Sequence, residues 1–384
     1  MFSRIFNIDR VKVKKLKDVC VLFFGVLPPP YTGQSIAFNE TYLGVKCGRK
    51  ILISHKHAGT SSFYKVLSSV YVTFKAILNL FLFRPNIVYI TVSISLLASI
   101  KEVIIIFFAR AVGAKVITHF HGAGIDVFLK SISSFYRAVI IRAYNKVDAH
   151  ICLMPGMVHE LRCCIDPNVR VDVVPNFYSK EMEHHCSNEV FNEFNCRILY
   201  LSNLIKSKGI LETVEAFIQF KKQYASSELL IAGAFLSDEE MDAKTIKERF
   251  YELIDRSSGG ITYYGPIKGE EKRNLLLSSD IFVLPTYYKI EAFPLSIIEA
   301  MRTGNFIITT NHNYLTDVVN ESEGLIINKR STSEIFNAFM NCVNNTELVK
   351  AKKKRNAEYA RSKFSSSIYQ QRIEAIFNDI IKDK

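Results

Sequence analysis

The sequence predicts an α/β protein of two parallel-sheet domains, and three observations predict it. Short apolar runs, such as residues 87–91, 281–284 and 306–310, recur along the chain with the composition of strands buried on both faces. Stretches of helical period separate them in both halves, which is the pattern of parallel sheets with crossover helices. At 384 residues, 48% of them apolar, the chain exceeds one ordinary core. The boundary is expected near residue 190, in the polar stretch 179–195. That gives a first domain of residues 1–190, a second of 191–365 and a terminal helical segment of 366–384.

Taken in order, residues 1–18 are basic, with Lys12, Lys14, Lys15 and Lys17 close together. The first strand is expected at 19–24. It runs through Gly25 into Pro28-Pro29-Pro30-Tyr31-Thr32-Gly33, a loop without the G-x-G-x-x-G spacing of nicotinamide-binding folds. Strands follow at 50–54 and 87–91, and helices at 62–84 and 96–112. Lys75, Arg84, Lys101, Glu102 and Arg110 interrupt every window of about 20 residues there, so these helices are expected to cover a sheet rather than span a membrane. The strand at 115–118 ends in His119-Phe120-His121-Gly122, at the end of a sheet where ligands bind. Further strands are expected at 149–153 and 171–177.

The second half opens with a strand at 197–201, the loop Ser202-Asn203-Leu204-Ile205-Lys206-Ser207-Lys208-Gly209 and a helix at 210–224. Strands at 229–234 and 261–266 precede a helix at 274–279, the second containing the turn Gly265-Pro266. The strand at 281–284 leads to a loop and a helix that starts at Pro294, whose fixed φ suits a first helical position. Phe293 cannot cap that helix, so the N–H groups of Leu295 and Ser296 are left for an anion. The helix ends at Arg302, near Gly304. Strands at 306–310 and 324–327 and a charged helical stretch, 331–384, complete the chain.

Composition narrows the function. The net charge of +12 comes without a helix-turn-helix, zinc-finger or RNA-recognition signature, so nucleic acid is not expected. An anionic substrate or an anionic membrane surface fits the charge. Eight scattered cysteines and no signal-peptide pattern point to the cytoplasm. The His119/His121 step and the His184-His185-Cys186 run, even with Cys163-Cys164, lack the array that a metal needs, and no metal is expected.

Two glutamates, Glu291 and Glu299, frame the loop and helix after the 281–284 strand. Two solvated carboxylates on an amphipathic helix would show the same spacing. The Phe293-Pro294 step between them and the strand before them decide the reading. The stretch from Glu291 to Glu299 resembles the Glu-x7-Glu motif of retaining glycosyltransferases of GT-B architecture, family 4 (group 1 glycosyltransferases). The histidine–glycine step at His121 and the lysine–glycine step at Lys208 are similar to that family as well.

The resemblance implies two Rossmann-like domains facing a cleft, the last helix crossing back onto the first domain. A nucleotide-sugar donor would bind the second domain, and a glycan or lipid-linked acceptor the first. Glu299 would take the ribose hydroxyls, and Glu291 those of the donor sugar. Lys208 and the helix start at Leu295 and Ser296 would hold the diphosphate, with Phe293 and Pro294 in the same donor segment. Gly265 would lie beside the base, Gly33 in the cleft-facing loop, and His121 beside the donor sugar. Glu291 and His121 are the catalytic candidates. Asn203 stands where the family carries an arginine, which removes one cation from the diphosphate site. No metal and no cofactor are implied, the nucleotide-sugar being a substrate. A cytoplasmic enzyme, peripheral on the inner face of the membrane, is expected. A non-catalytic nucleotide-sugar-binding protein and a sugar-nucleotide epimerase are the alternatives.

Overall fold

The computed structural model describes residues 15–29, 31–54, 62–183 and 194–382, with backbone alone for 62–65. Lys12 and Lys14, the His184-His185-Cys186 run and the expected boundary near 190 lie outside the described residues.

Two six-stranded sheets form, every pair parallel. The first contains β1 (Cys20–Gly25), β2 (Arg49–Ser54), β3 (Ile87–Val92), β4 (Lys115–Phe120), β5 (Ala149–Cys152) and β6 (Arg170–Val173), in the order β2-β1-β3-β4-β5-β6. The second contains β7 (Arg197–Leu201), β8 (Glu228–Ala232), β9 (Ile261–Tyr263), β10 (Ile281–Leu284), β11 (Phe306–Thr310) and β12 (Gly324–Ile327), in the order β12-β11-β10-β7-β8-β9. Its strands run outward from β7 to β9, then return to β10 on the other side of β7. The gap between β7 and β10 is therefore the switch point, where the connections leave to opposite faces and a crevice opens.

The helices are α1 (Gly33–Gly44), α2 (Ser62–Phe83), α3 (Leu96–Ala111), α4 (Ile125–Ser131), α5 (Ser134–Tyr144) and α6 (Pro155–Arg162) in the first half. The second half adds α7 (Ile210–Gln223), α8 (Ala243–Asp255), α9 (Gly269–Leu277), α10 (Leu295–Arg302), α11 (Leu315–Val318), α12 (Thr332–Asn344), α13 (Thr346–Lys363) and α14 (Ser366–Lys382). Local chemistry starts several of them. Thr32 and Ser35 form a reciprocal capping box at α1, and Asp242 accepts from the N–H groups of Lys244 and Thr245 at α8.

Three expectations are corrected. The helix expected at 274–279 begins at Gly269, with Glu270 and Glu271 in a first turn that favours negative charge. Pro294 is the residue before the helix rather than its first: φ is −65° and ψ 122°, so α10 starts at Leu295. The third concerns α2. Its stretch from Val66 to Phe83 is long and apolar enough to cross a bilayer by length and composition, with Lys75 as the one charge inside it. Charge spacing therefore does not settle its placement; packing does. Val72, Ala76 and Leu80 are buried in one core with Leu22 and Phe24 of β1 and Ile51 and Ile53 of β2.

On the opposite face of the first sheet, Tyr369, Ile373 and Phe377 of α14 pack with Phe23, Tyr89 and Ile151. The Tyr369 hydroxyl lies 2.6 Å from that of Thr41 on α1. In the second half, Lys353 of α13 and Asp280, just before β10, form a buried ion pair at 2.6 Å. The other Asp280 oxygen accepts from the N–H groups of Asn195 and Arg197, which fixes β10 beside β7.

Candidate active site at the switch point

The switch point brings the loop after β7 against the loop after β10. A 3₁₀ turn, Lys206–Lys208, follows β7 and ends at Gly209 with φ +75°. A Cβ there would sit 2.7 Å from Pro285, so only glycine permits this approach. The Tyr287 N–H donates to the Ser207 carbonyl at 2.7 Å, and the Ser207 N–H to the Asp238 carboxylate at 2.7 Å. The Asn313 amide donates to the Glu291 carbonyl at 2.7 Å and holds the second loop from below.

These contacts place Lys208 Nζ 3.2 Å from Glu291 Oε2 and 3.0 Å from Ser202 Oγ, which accepts its hydrogen bond. The Lys208–Glu291 pair is a charge contact without hydrogen-bond geometry, and Glu291 Oε2 is covered with no donor on it. Glu299, on α10 and nearly buried, takes a hydrogen bond at 2.7 Å from Lys272 of α9. Each glutamate of the motif thus carries a lysine. The start of α10 has no side-chain cap, so the Leu295 and Ser296 N–H groups and the helix dipole remain free to meet negative charge.

The other expected residues fall out as follows. Phe293 is buried, its ring 5.5 Å from that of Phe364, and its carbonyl accepts from the Asn176 amide at 3.1 Å. Its side chain is thus core, and its backbone ties the two halves together. Gly265 turns with φ +72° into open space. A Cβ on Gly33 would meet nothing closer than Asn176 Nδ2 at 4.0 Å, so nothing within the chain demands a glycine there. Asn203 lies in the loop after β7, exposed, and its carbonyl accepts from the Ile205 N–H at 3.0 Å. Lys206, the other lysine of that loop, is paired with Glu212.

Across the cleft, His121 follows β4. Its residue surface is partly open, yet both ring nitrogens are covered and without partners. Burial pushes its pKa down to about 3, so the ring is neutral near pH 7. The His119 ring lies 4.0 Å away, tilted against it, and is held through Nδ1 by the Tyr89 hydroxyl at 2.7 Å. The Ala123 N–H donates to the Ile290 carbonyl at 3.3 Å, so the histidine loop meets the Glu291 loop directly. His121, Glu291 and Lys208 thus belong to loops that meet at the cleft, whereas the Phe293 ring does not line it. Lys272 was missed in the sequence. It is one cation of an ordinary Glu-Glu-Lys-Arg helix start, and nothing local says which carboxylate it meets.

This arrangement can neutralise a diphosphate with ammonium groups and a helix start, and hold hydroxyls with two carboxylates. Residues 187–363 match the family profile described as Glycosyl transferases group 1. Over that segment, a little under half of the chain, the protein is similar to group 1 glycosyl transferases.

Among the most similar curated proteins is an alpha-galactosylglucosyldiacylglycerol synthase of Streptococcus pneumoniae (strain ATCC BAA-255 / R6), 25% identical over 187 residues, 46% of each chain. Another is the capsular polysaccharide biosynthesis glycosyltransferase CapM of Staphylococcus aureus, 25% identical over 194 residues, 49% of this chain and 47% of the relative. The chain thus spans about half the length of the curated relatives it matches. Over nearly the whole chain it is similar in structure to a sucrose-phosphate synthase from Thermosynechococcus elongatus. There the TM-score is 0.74 at 14% identity, covering 95% of this chain and 100% of the other. The figures for Anabaena HepE in complex with UDP-glucose are 0.72, 14%, 94% and 100%. The segment similar to group 1 glycosyl transferases thus sits within a GT-B fold.

Proposed function

We propose that the protein is a retaining glycosyltransferase that moves a sugar from a nucleotide-sugar to a glycan or lipid-linked acceptor in surface polysaccharide or glycolipid synthesis. It acts in the cytoplasm, peripheral to the membrane, without metal or cofactor. The observation that carries this reading is the Lys208–Glu291 ion pair at the switch point, facing the His121 loop. The names of the two curated relatives and the UDP-glucose held by HepE support the same class of donor and acceptor.

In this reading Glu299 and Glu291 accept hydrogen bonds from the ribose and the donor sugar. Lys208 and the start of α10 take the charge that grows on the leaving diphosphate, the largest electrostatic demand of the transfer. His121, neutral at physiological pH, is a hydrogen-bonding partner for the sugar rather than a cation. Attack comes from the face that the leaving group vacates, with no enzymic nucleophile assigned.

The full chain is to be assayed for release of nucleoside diphosphate from a panel of nucleotide-sugars, with glycolipid and oligosaccharide acceptors. Lys208→Ala is expected to lower turnover about 10²–10³-fold with unchanged melting temperature. A folded variant with near-native turnover would overturn the assignment. Activity is expected to persist in chelator; loss restored by manganese would refute metal independence. Asn203, which leaves the diphosphate site one cation short, favours a second reading, a non-catalytic nucleotide-sugar-binding protein. Tight donor binding with no transfer to any acceptor would favour it.

A further inference from the structure

The outer face of α2 carries an apolar stripe that the fold leaves uncovered. Leu67, Val70, Tyr71, Phe74, Leu78 and Leu82 recur at helical spacing, each between 46% and 64% exposed. On the opposite face, Val72, Ala76 and Leu80 hold α2 to the sheet. A contiguous exposed apolar strip of this size marks a contact surface. At about 1.5 Å per residue the 22-residue helix is about 33 Å long, so the strip is a rod rather than a pocket.

Charge identifies the occupant. Residues 1–183 contain 23 Lys and Arg against 11 Asp and Glu, which is the whole of the +12 excess; the rest of the chain is balanced at 26 each. The excess is densest around α2: residues 41–101 hold eight Lys and Arg and no acidic residue. Lys75 within the helix and Arg84 just after it are exposed. An apolar stripe on a stretch of chain rich in basic residues and without acidic ones complements an anionic bilayer, which offers hydrocarbon below a negative surface. A neutral protein groove would give the lysines nothing, and a second copy of this basic face would repel them.

Topology adds a direction. Leu96 and Leu97 at the start of α3 and Phe135 and Tyr136 at the start of α5 are also exposed. Both helix starts lie at the C-terminal end of the strands, the end that faces the cleft, as does the start of α2. The helices α2, α3 and α5 pack side by side on one face of the first sheet. The exposed apolar surface therefore reaches from the outer helix to the rim of the cleft.

We propose that the α2 stripe, with Lys75 and Arg84, lies in the interface of an anionic lipid bilayer, so that the cleft opens toward the membrane surface. For its purpose this rests on the membrane-side acceptor proposed above, but the contact is measured without donor or acceptor. A failure of lipid binding and a failure of transfer are therefore seen separately.

The test is co-sedimentation of the full chain with vesicles of phosphatidylglycerol and phosphatidylcholine, against vesicles of phosphatidylcholine alone. Binding is expected with the anionic vesicles only, weakening as salt rises. Phe74→Asp with Leu78→Asp, both exposed, should lower the partition coefficient at least about tenfold through two lost apolar insertions, with unchanged circular dichroism. Lys75→Gln with Arg84→Gln should weaken binding and flatten its salt dependence. No binding to anionic vesicles at low salt would overturn the proposal, as would binding that the aspartate pair leaves intact. Light scattering that shows a dimer broken by the same aspartates, without vesicle binding, would make a second copy the occupant and also overturn it.

Discussion

At the scale of the residue, buried charge is where the second domain is most exposed to loss. Lys353 and Asp280 meet at 2.6 Å, both almost wholly buried, and Asp280 also holds the N–H groups at the start of β7. Removing one partner leaves the other charged and dry, which costs far more than the pair contributes. Lys353→Met is expected to destabilise the protein by about 3–5 kcal/mol in urea unfolding. A loss below about 1 kcal/mol would mean that water or another group replaces the lysine. The pairs at the site differ in kind. Lys208 and Lys272 pair with Glu291 and Glu299, carboxylates of the loop and helix that follow β10 at the switch point.

At the scale of the element, two glycines of the second domain separate backbone conformation from packing. Both turn with positive φ, Gly209 at +75° and Gly265 at +72°. A Cβ at Gly265 meets open space, whereas one at Gly209 would lie 2.7 Å from Pro285 in the loop after β10. Gly265→Ala should therefore cost only the left-handed conformation, about 1–2 kcal/mol. Gly209→Ala should cost that and more, because the loops carrying Lys208 and Glu291 must part. Thermal melts of the two variants decide it; equal losses would show that the loops give way freely. The element scale also explains why α10 can serve as an anion site. Pro294 ends the loop with a non-helical ψ and supplies no side-chain acceptor, so the first N–H groups stay unfilled.

At the scale of the whole molecule, one of the contacts between the halves titrates. Tyr314 of the second half donates its hydroxyl to Glu160 of α6 in the first, and a Cβ on Gly156 would meet the Tyr314 ring at 2.4 Å. Burial, followed by a hydrogen bond with the Asp126 carboxyl, pushes the Glu160 pKa up to about 7. The ordinary value is about 4.3, so the folded protein keeps a proton that the unfolded chain has lost. That contribution to stability is complete below the ordinary value and is lost as pH rises through about 7. The melting temperature of the wild type should therefore fall, relative to Glu160→Gln, as pH is raised from about 5 to about 8. Parallel pH profiles for the two proteins would refute the shared proton.

The amino-acid sequence by itself determined the alternation of strands and helices, the count of apolar strands at the sites, the Lys208-Gly209 turn and the Glu291–Glu299 spacing. Each is written within a few residues, through periodicity, caps or φ preference, and needs no knowledge of distant neighbours. The α8 helix was missed in the sequence: Asp242 caps it, but its polar composition obscured the helical period. Tertiary structure alone decided the partners. That Lys272 meets Glu299, that Phe293 turns into the core against Phe364, and that Asn176 reaches the Phe293 carbonyl depend on strand order and domain packing. The same holds for α2. Its sequence is apolar nearly all round, and only the sheet beneath it decides that Val72, Ala76 and Leu80 are covered while Phe74 and Leu78 face outward. A pattern along the chain fixes what a residue can bury; which surface reaches it is settled by contacts between residues far apart in sequence.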